Sequence, residues 1–127
     1  MKQEEKELEL LIKDLSGRLP YGVKFQTTWW DDDKEEMTDI VAKLYSLNTD
    51  GYCEIYDYDG VVYVEDVKPY LRKMSTMTEE EETIFINKQG YDRYEWLDKN
   101  MFDYRGLIPR ELALEAPEDM YKYLKFI

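Results

Sequence analysis

Three aspartates in a row, Asp31-Asp32-Asp33, and the step Asp57-x-Asp59-Gly60 are the residues best suited to hold a divalent cation, because hard cations take oxygen ligands. Neither has the spacing that this chemistry needs. A calcium loop of the EF-hand type alternates its ligands, turns on a glycine at the sixth position and closes on an acid. The three aspartates are contiguous, so their carboxylates diverge on an extended chain. Gly60 directly follows Asp59, and Lys68 stands where a closing acid belongs. The first stretch, continued by Lys34-Glu35-Glu36, therefore reads as a solvated charged loop and the second as a hairpin turn. The chain has no histidine, which removes the commonest general base and metal ligand. It has no glycine-rich phosphate loop, no paired-cysteine spacing and no Ser-His-Asp set. The single cysteine, Cys53, has no cationic cluster beside it in sequence and reads as a small buried hydrophobe. With 29 aspartates and glutamates, chance pairs of acids are expected. A carboxylate-dependent enzyme is thus an alternative with no marked pair to carry it. The expectation is a non-enzymatic protein, with no catalytic residue, no metal site and no cofactor.

The other chemistry on offer is adhesion. Twelve tyrosines stand beside four phenylalanines and three tryptophans. Tyrosine buries a ring while keeping its hydroxyl at water, so it serves either the wall of a thin core or an interface. Trp29, Trp30, Tyr45, Tyr56, Tyr58 and Tyr63 are the candidate anchors of an interaction surface. Trp29 and Trp30 must point to opposite faces of a strand, so one of the pair can enter the core while the other meets solvent or a partner.

The formal net charge of −12 repels nucleic-acid phosphates and anionic membrane surfaces alike. The expected partner is another protein, with no direct nucleic acid and no membrane. A nucleic-acid-binding barrel would require Lys24, Lys43, Lys68, Arg72 and Lys73 to converge beside the tyrosines. A further alternative uses the acidity itself, as an inhibitor that mimics DNA towards a nucleic-acid-binding protein. A lone cysteine, a polar N-terminus without an apolar segment behind it and no long apolar run point to the cytoplasm.

These residues are positioned by recognisable elements. Leu8, Leu11, Ile12 and Leu15 mark one stripe of a helix over about 3–16, with Gly17 as its cap. The period changes to two at Val23-Lys24-Phe25-Gln26-Thr27-Thr28-Trp29-Trp30, a strand. Runs 40–47, 52–56 and 61–64 are separated by Asn48-Thr49-Asp50-Gly51 and Asp57-Tyr58-Asp59-Gly60, strong hairpin signals. A helical turn over 65–69 precedes a short strand, 70–73. Both faces of 40–47 carry apolar residues, which implies a central or wrapped strand. Thr78-Glu79-Glu80-Glu81 is a capping box that opens a second helix, and a third spans about 92–100. A compact segment follows from Gly106, and a last turn is expected over 119–124. The expected fold is α+β: a small, mostly antiparallel SH3-like β-barrel or bent sheet, one N-terminal helix and two or three C-terminal helices. At 127 residues this is one domain, with a helix in 1–18, the meander in 23–73 and a helical part in 78–127.

Three segments carry a family likeness: Leu19-Pro20-Tyr21-Gly22-Val23-Lys24; Val64 to Ser75 with Met77 to Glu81; and Phe102-Asp103-Tyr104-Arg105-Gly106-Leu107-Ile108 with Leu112 to Pro117. Together they resemble a group of small uncharacterised proteins from gut Bacteroidales and their phages or mobile elements. The resemblance implies a cytoplasmic accessory protein and brings no activity or site residue with it. Within the last segment, Asp103 and Arg105 are expected to pair or cap, and Phe102, Tyr104 and Leu107 to pack.

Overall fold

The computed structural model describes residues 3–48, 50–56 and 60–122. The fold is α+β, in the order α1 (Gln3–Arg18), β1 (Lys24–Asp31), β2 (Glu36–Leu47), β3 (Tyr52–Ile55), β4 (Val61–Tyr63), β5 (Lys68–Leu71), α2 (Glu79–Asn87), α3 (Tyr91–Lys99) and β6 (Leu114–Glu115). Two compact units divide the chain, Met1–Pro69 and Tyr70–Ile127. No helix among the described residues is long and apolar enough to cross a membrane.

In the first unit, α1 carries Glu4 and Glu5 in its first turn and Arg18 in its last, the arrangement that its macrodipole favours. It buries Leu11 and Leu15. The helix does not stop at Gly17 as the sequence suggested. Arg18, fully buried, donates from Nε and Nη2 to the two carboxylate oxygens of Asp14 at 2.9 and 3.0 Å, and this bidentate i,i+4 pair holds the last turn helical. A 3-10 turn, Leu19–Tyr21, follows with Pro20 near its start, where a missing N–H costs little. The stop comes at Gly22, whose φ of 76° is left-handed and whose N–H reaches the Leu19 carbonyl.

Strands β1 and β2 form an antiparallel hairpin in continuous register from Lys24 opposite Lys43 to Asp31 opposite Glu36. The charged stretch is thus shorter than expected, and β2 begins at Glu36 rather than Ile40. Asp31 explains this: its Oδ1 accepts the N–H groups of Asp33 and Lys34 at 2.9 and 3.2 Å, so its carboxylate closes the turn. Strand β3 pairs with β2, β4 with β3, and β5 with the other side of β1, all antiparallel. The hydrogen-bonded order is β4-β3-β2-β1-β5. Among the described residues no pairing joins β4 to β5. The sheet is therefore open rather than closed into the SH3-like barrel that the sequence also allowed. Between Leu44 and Ser46 the register slips by one residue, a β-bulge at Tyr45.

One face of this sheet is the core. Val23, Phe25 and Thr27 of β1 and its entry, Ala42 and Leu44 of β2, Cys53 and Ile55 of β3, and Val64 and Val67 beyond β4 are all buried. The Thr27 hydroxyl, the one polar member in β1, donates to the Asp66 carbonyl at 2.8 Å. Burial pushes the Cys53 thiol up to about 12, so at neutral pH it is a protonated core side chain and not a nucleophile.

The second unit opens at Tyr70. The last residues of β5 pair in parallel with β6, Tyr70 opposite Leu114 and Leu71 opposite Glu115, a strand the sequence did not announce. The capping box of α2 is present in full: Glu81 N–H to the Thr78 hydroxyl and Thr78 N–H to the Glu81 carboxylate, both at 3.1 Å. Trp96, Leu97 and Phe102 form a buried cluster, with Met74, Met77, Ile84, Phe85 and Tyr104 against it. Asp103 accepts the N–H groups of Leu107 and Ile108, each at 2.9 Å, and so folds the segment after Phe102. Arg105 lies near Asp98, 3.6 Å away, so Asp103 caps while Arg105 pairs elsewhere. The stretch from Leu107 to Leu112 is a series of turns, and the expected last turn over 119–124 lies partly outside the described residues.

Candidate functional site

Strand alternation gives the first unit a second face, whose large apolar side chains are exposed among the described residues. In register order this face carries Lys24, Gln26, Thr28 and Trp30 on β1; Lys43, Val41, Asp39 and Met37 opposite them on β2; Tyr56, Glu54 and Tyr52 leading into and along β3; and Val61 and Tyr63 on β4. Seven large apolar or aromatic side chains on it, Trp30, Met37, Val41, Tyr45, Tyr56, Val61 and Tyr63, are each 44–58% exposed. The rings are not scattered. Tyr45 meets Tyr56 edge-on with centroids 4.9 Å apart, and Tyr52 meets Tyr63 at the same separation. Trp30 and Met37 are cross-strand partners near the hairpin end. Alternation after Lys43 and Leu44 points Tyr45 outward beside Tyr56, and the bulge that follows re-phases β2 so that Ser46 stands opposite Glu54 and Leu47 opposite Cys53. A side-chain hydrogen bond with Tyr63, together with the charge of that neighbour, raises the Tyr52 hydroxyl above its ordinary value.

Of the sequence candidates, Trp30, Tyr45, Tyr56 and Tyr63 share this face. Trp29 does not. It points to the opposite side, where its Cη2 lies so near Gly60 that an added Cβ would sit 3.0 Å away. Gly60 has a φ of 137°, so both space and backbone require glycine there, with the Trp29 ring against it. Tyr58, with Asp57 and Asp59, lies outside the described residues. Val41 and Met37 were missed as site residues. Alternation along β2 places Val41 outward, and apolar residues on both faces imply a central or wrapped strand; β2 is central, with one apolar face left exposed.

The lysines are distributed unexpectedly. Lys24 and Lys43 face each other across β1 and β2, and Lys68 stands opposite Gln26 on β5. The Lys43 ammonium lies 5.0 Å from the Tyr56 ring centre. Its stem crosses Gly22 so closely that a Cβ there would be 2.8 Å from Cε. Arg72 and Lys73 belong to the second unit, where Arg72 makes a bidentate pair with Glu81 at 2.8 Å and Lys73 pairs with Glu115 at 3.4 Å.

The second unit holds a cleft of about 770 Å³. Ile84, Trp96 and Tyr121 supply its apolar wall, and Arg72, Thr78, Glu81 and Asn100 its polar one. Its polar groups are engaged in holding the fold. Burial would raise the Glu81 carboxyl, but the Arg72 guanidinium and the Thr78 amide and hydroxyl outweigh it and hold that carboxyl below the usual range. A depressed folded-state value means that this contribution is complete above the unfolded glutamate range, about pH 4–5. It is lost as pH falls through the folded value. Glu81→Gln is therefore expected to lower the melting temperature at pH 7 and to lower it by less at pH 3. An equal deficit at both pH values would show that the carboxylate charge is not what matters.

Among the described residues, no three aspartates, glutamates or cysteines gather into a set that could hold a metal ion. No protein-family model matches the chain, and no curated protein or solved structure is significantly similar to it.

Proposed function

We propose that this protein is a non-enzymatic interaction module, and that the outer sheet face of its first unit receives another protein. The observation that supports this most is the exposed, ordered row of aromatic and aliphatic side chains from Trp30 and Met37 through Val41 to the Tyr45–Tyr56 and Tyr52–Tyr63 pairs. Soluble chains rarely leave so continuous an apolar patch to water without a use for it. Tyrosine, tryptophan and methionine are the residues that interfaces concentrate at their centres, and truncating such anchors commonly costs about 2 kcal/mol or more of binding.

The test is affinity capture from native host lysate with the tagged full chain, at low and high salt, beside the double variant Trp30→Ala/Tyr45→Ala. Both rings are outside the core, so the variant is expected to melt close to the parent. A partner held by the parent at high salt and reduced at least about tenfold by the variant is the expected result. A partner held equally by both proteins would sink the reading. One released by salt from both would move the weight to the acidic surface and the inhibitor alternative.

A further inference from the structure

Strand β2 carries a pattern on its outer face that is complementary to itself when reversed. From Met37 to Tyr45 every second residue is exposed: Met37, Asp39, Val41, Lys43 and Tyr45. Val41 stands at the centre. Two residues to one side is an acid, and two to the other a base. Four residues to either side, about 13 Å away at the rise of a strand, is a large apolar side chain. A half-turn about Val41 therefore lays Asp39 on Lys43, Lys43 on Asp39 and Met37 on Tyr45. Gln26, the cross-strand partner of Val41 on β1, falls on the same axis, and an amide can both donate to and accept from its own copy. Strand β2 is central to the sheet, so the pattern lies within the face and not along its edge.

We infer that the outer face pairs with the same face of a second copy of this chain, in a face-to-face sheet packing whose two-fold axis crosses β2 at Val41. This rests on the reading that the face receives a protein, and names that protein. In such an isologous interface every contact is made twice, residue i on j and j on i, and the β2 pattern satisfies both halves at once. Stacked sheets keep their strands within about 30° of each other, so the residues next to the axis stay in register. The scale also fits. The seven apolar residues of the face are about half exposed. At about 150–250 Å² for a large side chain they offer roughly 700 Å², near the ~800 Å² that each partner gives to an interface of standard size. Each copy carries a formal net charge of −12, so two copies repel at long range and added salt tightens the pair.

The experiment is sedimentation equilibrium of the full chain over a micromolar concentration series, at low and high salt. It compares the parent, Asp39→Lys, Lys43→Asp, an equimolar mixture of those two variants, and Trp30→Ala/Tyr45→Ala. All four positions are exposed, so each variant is expected to melt close to the parent. The expected parent is a dimer that tightens with salt. Each single reversal opposes like charges twice and is expected to weaken self-association at least about tenfold. The mixture restores opposite charges at both contacts and is expected to dimerise again with near-parent affinity, which neither a folding defect nor a contact within one chain would produce. The alanine variant is expected to stay monomeric. A parent that is monomeric throughout the series overturns this inference and leaves the interaction face standing for an unlike partner, which the lysate capture reads. A dimer that needs Trp30 and Tyr45 but ignores both reversals overturns the pairing about Val41 and keeps the face. A dimer unaffected by any variant overturns the inference and puts self-association on another surface.

Discussion

Asp14→Ala is expected to lower the unfolding free energy by about 3–5 kcal/mol, a large part of the roughly 5–15 kcal/mol that holds a domain together. Asp14 and Arg18 have no exposed side-chain surface and meet through two hydrogen bonds in the last turn of α1. Without the carboxylate, a guanidinium stays buried with its principal counter-charge gone, and desolvation is no longer offset. The same reasoning makes the double replacement Asp14→Leu/Arg18→Met far milder than the single one, because both charges leave together. Urea unfolding followed by circular dichroism measures both. A cost below about 1 kcal/mol for the single replacement would mean that the pair behaves as an exposed one.

That pair also shows what a sequence conceals. Asp14 and Arg18 are spaced i,i+4, which on paper is a surface ion pair of small value; only the packing of the first unit makes it interior. Local chemistry was readable where one segment determines it. The Thr78–Glu81 capping box, the alternation from Val23 to Trp30 and the opposite directions of Trp29 and Trp30 all follow from rules that act within a few residues. What depends on distant partners was not readable. The parallel pairing of Leu114 with Tyr70 spans more than forty positions, and the bulge at Tyr45 exists only relative to β3.

The candidate face divides in the same way. That Trp30, Tyr45 and Tyr63 could be outward anchors was visible in their spacing. Which side of the sheet stays uncovered was not, because β2 is apolar on both sides and only its neighbours decide. The lysines were harder still. Lys24, Lys43 and Lys68 lie about twenty residues apart in sequence and form no run, so the sequence shows an evenly acidic chain. The register of two antiparallel pairings places them together.

Phe102→Ala is expected to cost a further large amount, about 3–5 kcal/mol, and to act in the second unit. Phe102 is fully buried. Its ring stacks on Trp96 at 5.7 Å, and the Arg72 guanidinium lies 4.1 Å from its centre. The neighbouring backbone is tied on both sides: Arg72 N–H donates to the Met101 carbonyl at 2.7 Å and Asp103 N–H to the Arg72 carbonyl at 2.8 Å. The chain cannot readily collapse into the space, so the cavity term adds to the lost transfer energy. Arg72, deprived of its aromatic support, would hold Glu81 less firmly, and the acid sensitivity assigned to that pair should weaken with it. Phe102→Leu keeps most of the volume and is expected to cost about 1 kcal/mol. Denaturant unfolding of the two variants at pH 7 and pH 3 separates the effects. Equal costs for alanine and leucine would show that the site relaxes around the missing ring, and an unchanged pH response would show that Arg72 does not need Phe102 to pair with Glu81.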